Sequence, residues 1–251
     1  MLHTINVLNS TFASIARSWR GTSSTKEHYQ PEKPIILFDR EGDPECRLVR
    51  ETLTALNLDV TIMPCPIGGE NIKRLRRDSG TDQVPVLYDT NVEESRKGAS
   101  DIIQYLFKQY KGVDAPSRTQ ITPQQMRRSK LSSLIRLNAG IKAKPSKSTQ
   151  QPLTLYSFES SPFSRIVRER LCELELPYQL INLGKQQKED MGPAKFRFHR
   201  GEYRPVPESK REAFLEKWGN VQVPFLVDPN TDTNLFESAK IVDYLNQQYA
   251  K

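Results

Sequence analysis

Pro34-Ile35-Ile36-Leu37-Phe38, followed by Pro44, Arg47, Val49-Arg50-Glu51, Leu53, Leu56 and Leu58, is met again 118 residues later. There it reads Pro152-Leu153-Thr154-Leu155-Tyr156, then Pro162, Arg165, Val167-Arg168-Glu169, Leu171, Leu174 and Leu176. Further on, Gln83-Val84-Pro85-Val86-Leu87 and Ile102-Ile103-Gln104-Tyr105-Leu106 return as Gln222-Val223-Pro224-Phe225-Leu226 and Ile241-Val242-Asp243-Tyr244-Leu245, at an offset of 139. Two ordered blocks in one register, then two in another, describe a duplicated unit whose second copy carries an insertion of 21 residues.

Each copy reads the same way locally. Ile35 to Asp39 is a short apolar run ending in a polar stretch with Gly42, which predicts a strand and a turn. Asp43 then suits a helix N-cap and Pro44 the first helical turn, with Val49, Leu53 and Leu56 at helical spacing behind them. Val60 to Met63 predicts a second strand, Glu70 to Asp78 a helix, Pro85 to Tyr88 a strand, a short strand precedes Lys97, and Ser100 to Tyr110 closes the unit as a helix. The second copy gives a strand at Leu153–Ser157, a helix from Pro162, a strand at Tyr178–Leu183, a helix at Glu208–Trp218, strands at Phe225–Asp228 and near Leu235, and a helix at Ser238–Tyr249. The expected divisions are a helical segment over residues 1–33, a first unit over 34–112, a linker plus helix (Gln124 to Asn138) over 113–151, and a second unit over 152–251. The insertion, about 185–207, is polar and carries Pro193, Pro205 and Pro207, so an extended surface loop is expected.

The chain of 251 residues has 36% hydrophobic and 27% charged residues, with no apolar run near the ~20 residues of a membrane-spanning helix. Cys46, Cys65 and Cys172 are too few and too irregular for a disulfide framework, and no zinc-ligand spacing occurs, so no metal is expected. The formal charge of +7 comes from dispersed bases, including Arg47, Arg50, Lys73 to Arg77, Arg127 to Lys130 and Lys142 to Lys147, which read as a solvated surface and not as a specific nucleic-acid site. The first 30 residues hold no acid before Glu27 and place Ile5, Leu8, Phe12, Ile15 and Trp19 at helical spacing, the composition of an organellar transit peptide. Yet Ser14-Ile15, Arg17 and Gly21 have counterparts in Ser133-Leu134, Arg136 and Gly140, which favours a packing helix that opens each repeat. A cytoplasmic location is expected, with an organellar one as the alternative.

The order β-α-β-α-β-β-α, with a Val-Pro at the mouth of the third strand, resembles the thioredoxin fold, and both copies resemble the N-terminal domain of glutathione S-transferases and glutaredoxins. The resemblance is carried by Tyr156 to Arg165, Leu171-Cys172-Glu173-Leu174-Glu175-Leu176-Pro177-Tyr178, Gln222 to Thr231, and Phe236-Glu237-Ser238. It implies an α/β fold of two tandem thioredoxin-like domains, each a mixed four-stranded sheet flanked by helices. It also implies glutathione as ligand or co-substrate, with a thiol-containing small molecule or protein as a further partner.

The glutaredoxin C-P-[YF]-C stretch stands here as Asp43-Pro44-Glu45-Cys46 and Ser161-Pro162-Phe163-Ser164, so neither copy has the leading cysteine. By the resemblance, Ser161 takes the catalytic position, with Ser160 as its neighbouring alternative and helix capping as the plain structural role. Val223-Pro224 and Val84-Pro85 match the family's cis-proline, whose preceding residue pairs with the cysteinyl backbone of glutathione. Glu237-Ser238 matches the acidic-Ser pair that holds the γ-glutamyl group, whereas copy one offers only Gly98-Ala99 there, which implies that the first copy has lost the site. Cys46 and Cys65 are candidates for a redox pair, and Cys172 reads as a core residue. His3, His28 and His199 receive no role, and Phe196, Phe198 and Tyr203 with Arg197, Arg200 and Arg204 offer a wall for the pocket. Two functions stay open: a glutathione-dependent transferase or thiol-transfer enzyme working in the second copy, and a non-catalytic binding or scaffold protein recognising glutathione, a glutathionylated peptide or an extended partner strand.

Overall fold

The computed structural model describes residues 2–27, 29–197 and 201–251, with the side chains of Leu2 and Lys195 left aside. Helix α1 (Leu2–Ala16) precedes β1 (Ile35–Asp39), α2 (Pro44–Ala55), β2 (Val60–Pro64), α3 (Glu70–Ser79), β3 (Val86–Asp89), β4 (Glu94–Lys97) and α4 (Ala99–Lys111). Helix α5 (Pro123–Ile135) precedes β5 (Leu153–Ser157), α6 (Pro162–Glu173), β6 (Tyr178–Asn182), α7 (Lys210–Trp218), β7 (Phe225–Asp228), β8 (Thr233–Phe236) and α8 (Ser238–Tyr249). Asp43 and Ser161 cap α2 and α6, each followed by a proline in the first turn, where the missing N–H costs nothing.

The two halves share one eight-stranded sheet in the order β4-β3-β1-β2-β6-β5-β7-β8. Within each half the first two strands run parallel and the others antiparallel. The join is an antiparallel pair of β2 and β6, with Val60 opposite Leu180, Thr61 opposite Gln179 and Ile62 opposite Tyr178. Val60 and Tyr178 are repeat equivalents, as are Ile62 and Leu180, so the pairing is that of a two-fold interface written inside one chain. Each half thereby covers the strand edge that the other would leave unpaired.

Period-two alternation sends one side of the sheet into a core common to both halves, with Ile35, Leu37, Leu53, Leu153, Leu155, Leu171, Ile102 and Ile241 among its members. On the opposite side, α3 covers Phe38, Cys65 and Val86, and α7 covers Tyr156, Leu183 and Phe225. There Phe214 sits 4.8 Å from Tyr156 and 5.5 Å from Phe225, ring centre to ring centre, both edge-on.

The leading helices are exchanged: α1 lies on α6 of the second half and α5 on α2 of the first, and the two touch each other. α1 is a packing helix, but the face it buries is Ser10, Ala13, Ser14 and Arg17, whereas Ile5, Leu8, Phe12, Ile15 and Trp19 point outward. The apolar spacing identifies the helix and its outer side, because the inner side is satisfied by hydrogen bonds. Ser14 Oγ donates to Ser160 O at 2.7 Å and Ser10 Oγ to Pro162 O at 2.9 Å. Ser133 Oγ to Gly42 O and Ser129 Oγ to Pro44 O repeat them in the other half.

The insertion is less extended than its composition predicts. Its described residues hold two short 3-10 turns, Lys188–Asp190 and Ala194–Phe196, and are fastened by the buried Asp190, which accepts from Gln186 N at 2.9 Å and from the Tyr203 hydroxyl at 2.5 Å.

Candidate functional site

The site begins at the two helix starts. Asp43 accepts from Glu45 N and Cys46 N, and its charge favours the helix dipole but opposes any thiolate there. Ser161, 2% exposed, accepts from Ser164 N at 3.2 Å and keeps its own hydroxyl proton for another acceptor. Ser160 is committed on every side: its N–H donates to Gly21 O, its carbonyl accepts from Ser14, and its hydroxyl meets that of Thr22.

Pro85 and Pro224 both follow cis peptide bonds, and Val84 and Val223 are half-buried at the mouths of β3 and β7. Immediately before α8, Glu237 stands at φ 73°, in the left-handed region, where the first half has Gly98 at φ 79°. Glycine takes that conformation freely; a glutamate there costs on the order of 1 kcal/mol or more. The Glu237 carboxylate accepts from Gln222 Nε2 at 2.7 Å. Ser238 is buried, with its Oγ 3.2 Å from His3 Nε2. His3 carries no signal in the sequence, because only the exchange of leading helices brings α1 across the second half, against both Ser238 and the Ser160–Pro162 turn.

The first half presents an open cleft of about 520 Å³ at the equivalent place. Asp43 and Glu45 from α2, Val84-Pro85, Lys97-Gly98, and Met126 and Lys130 from α5 line it. Gly98 and Ala99 offer backbone but no carboxylate or hydroxyl. A larger cavity, about 1100 Å³ between α1, α6 and α8, is lined by none of Ser161, Val223, Pro224, Glu237 and Ser238.

The thiols are poorly placed for exchange. Cys46, Cys65 and Cys172 are free and buried. Burial pushes the Cys65 thiol up to about 12, and burial with the nearby Asp39 and Asp43 raises Cys46 well above the ordinary thiol value. Cys172 is raised by burial and accepts from Glu41 N. In the insertion, Phe196 is exposed, Arg197 lies 4.0 Å over the Tyr203 ring, and the Arg204 side chain is solvent-exposed. Phe198, His199, Arg200 and His28 lie outside the described residues.

Behind the helix starts runs a buried ionic network, which corrects the expectation that Arg47 and Arg50 belong to a solvated surface. Arg50 binds Asp39 at 2.6 Å and Glu159 at 3.0 Å, while Arg168 binds Glu41 at 3.0 Å and Glu159 at 2.9 Å. Arg47, equally buried, donates to Ser129 O at 2.7 Å. Arg17–Glu51 and Arg136–Glu169, at 2.7 and 2.6 Å, flank the network symmetrically. Burial pushes the Asp39 carboxyl up to about 6 against the pull of Arg50. Burial acts on Glu159 as well, but Arg168, Arg50, Arg165 and Arg47 outweigh it and hold that carboxyl down at about 2.

The profile of the family described as "Glutathione S-transferase, N-terminal domain" matches the chain twice, at residues 37–114 and 155–251. Two fungal proteins are similar over part of the chain. The glutathione S-transferase-like protein OpS6 of Beauveria bassiana is 31% identical over 101 residues, 40% of this chain and 37% of that protein. The glutathione S-transferase-like protein tpcF of Aspergillus fumigatus is 29% identical over 99 residues, 39% of this chain and 34% of that protein. The chain thus matches little more than a third of the length of these relatives. No solved structure matches it.

Proposed function

We propose that this chain, which belongs to the glutathione S-transferase N-terminal-domain family through both of its halves, is a glutathione-binding module whose second half grips the tripeptide. The observation that carries the reading is Glu237, kept in a backbone conformation that its counterpart Gly98 adopts without strain, beside a buried serine hydroxyl. A residue retained against its backbone preference points to a use for its side chain.

In this reading the γ-glutamyl carboxylate lies at the start of α8, against Ser238 and the positive end of the helix dipole, and His3 adds a second donor. Glu237 receives the amine. The cysteinyl backbone pairs with Val223, ahead of Pro224, in the manner of an added strand. His3 and Ser10, seven positions apart on α1, mark off about 10 Å between the start of α8 and that of α6. The γ-glutamyl and cysteinyl residues, extended, cover most of that distance. The sulfur then falls near Ser161.

Binding without turnover is the favoured outcome, since the cysteines are buried with raised pKa values and the Ser160–Pro162 turn is closed over by α1. The free proton of Ser161 supports a second reading, activation of the glutathione thiol for transfer. Calorimetric titration with glutathione separates these ideas when combined with a conjugation assay on an aromatic halide. Ser238→Ala and Glu237→Gln are expected to weaken binding about tenfold each, the worth of one charge-assisted hydrogen bond. Unchanged affinity in both variants would remove the assigned site. Conjugation that disappears in Ser161→Ala would replace the binding reading with the transferase one.

A further inference from the structure

The outward face of α1 and α5 is apolar where a surface is ordinarily polar. Ile5, Leu8, Phe12 and Ile15 are 50–60% exposed, and Leu131, Leu134 and Leu137 on and after α5 are exposed by 51%, 60% and 88%. The two helices touch, and both bury their serine-lined sides (Ser10 and Ser14, Ser129 and Ser133) against α6 and α2, so the opposite sides share one outer surface. Phe12 and Leu131 are repeat equivalents, as are Ile15 and Leu134, and the apolar patch therefore straddles the internal two-fold axis. A contiguous patch of this kind marks a contact surface.

Charge says what it contacts. Residues 1–26 and 115–158, which supply both helices, their adjoining loops and β5, contain no Asp or Glu and eleven Lys and Arg, of which Arg17 and Arg136 are buried in ion pairs with Glu51 and Glu169. The rest of the chain holds the remaining 26 bases against all 30 acids. Arg127 and Lys130 on α5 and Lys142 in the loop after it are exposed, Lys130 on the cleft that Asp43 and Glu45 also line, and Trp19, 43% exposed, stands at the end of α1. A second copy would set these exposed bases against one another, so self-association is disfavoured. Two adjacent helices with large aliphatic and aromatic side chains outward, rimmed by Lys and Arg, have the make-up of helices that lie in a bilayer interface. We propose that the outer face of α1 and α5 docks the protein on an anionic lipid membrane, with Ile5, Leu8, Phe12 and Leu134 entering the acyl boundary and Arg127, Lys130 and Lys142 facing the head groups. This surface is separate from the glutathione site and does not depend on it.

The test is sedimentation of the whole protein with vesicles of phosphatidylcholine, alone or with roughly one-third phosphatidylserine, alongside Trp fluorescence. Binding is expected to the anionic vesicles, at least about tenfold weaker to neutral ones, diminished by salt, and accompanied by a blue shift that is lost in Trp19→Ser. Phe12→Glu and Leu134→Glu, both exposed and so neutral to folding by circular dichroism, are expected to abolish it, and Lys130→Glu to weaken it several-fold. Failure to sediment with either vesicle overturns the proposal, whether or not the protein binds an acidic polypeptide such as polyglutamate. So does binding that Phe12→Glu leaves intact, or a dimer in solution that Phe12→Glu dissociates.

Discussion

Glu237 and Glu159 each bear a cost, one in the backbone and the other in burial, and only the second is offset by its neighbours. Glu237 bears its cost in the backbone, at φ 73°. Glu237→Gly is therefore expected to raise the melting temperature while lowering glutathione affinity, a split that calorimetry and a thermal melt read together. Glu159 bears its cost in burial, repaid by four arginines. Removing its charge leaves Arg50 and Arg168 short of a buried partner, so Glu159→Gln is expected to cost about 3–5 kcal/mol in denaturant unfolding. The pH dependence follows the sign of the shift. A carboxyl lowered from 4.5 to about 2 stabilises the fold above its ordinary value, and that stability is lost as pH falls from 4.5 toward 2. Asp39, raised from 3.8 to about 6, acts the other way: its contribution is complete below 3.8 and is lost as pH rises through 6. Glu159→Gln should flatten the acid limb of the stability profile, and an unchanged limb would contradict the network as described.

At the scale of elements, the loops behind the leading helices are held by Gly21 and Gly140, at φ 75° and 76°. A Cβ on Gly21 would lie 2.7 Å from Glu159 Cβ, and one on Gly140 would lie 3.0 Å from Glu41 Cβ. Gly21→Ala is expected to destabilise by about 1–2 kcal/mol from the backbone alone, with the clash adding to it; a neutral melt would show that the loop can move aside. The repeat makes these elements legible. Pro44 and Pro162 mark the helix starts, the Gln-Val-Pro blocks mark β3 and β7, and the Ser-x-x-Arg-x-x-x-Gly spacing marks α1 and α5. What residue spacing does not carry is destination. Which half a leading helix covers is decided by contacts over long stretches of chain, such as Arg47 to Ser129 and Arg165 to Ser10. Arg50 looks solvated in sequence because the network that buries it is completed by Glu159, which reaches it only across the join. His3 is silent in sequence for the same reason.

For the whole molecule, the shared sheet and shared core make the two family domains one mechanical unit. Calorimetric unfolding is expected to show a single transition, since either half alone would expose the β2 or β6 edge and part of a common core. Two separate transitions would contradict that. The asymmetry between the halves is where function is assigned. The first has the open cleft but lacks the acidic-Ser pair, and the second has the pair with α1 across it. A crystal structure with glutathione tests that assignment most directly. The tripeptide is expected along Val223-Pro224, with its γ-glutamyl carboxylate between Ser238 and His3 and its sulfur near Ser161; glutathione seated instead between Asp43, Val84 and Lys130 of the first half would contradict the account.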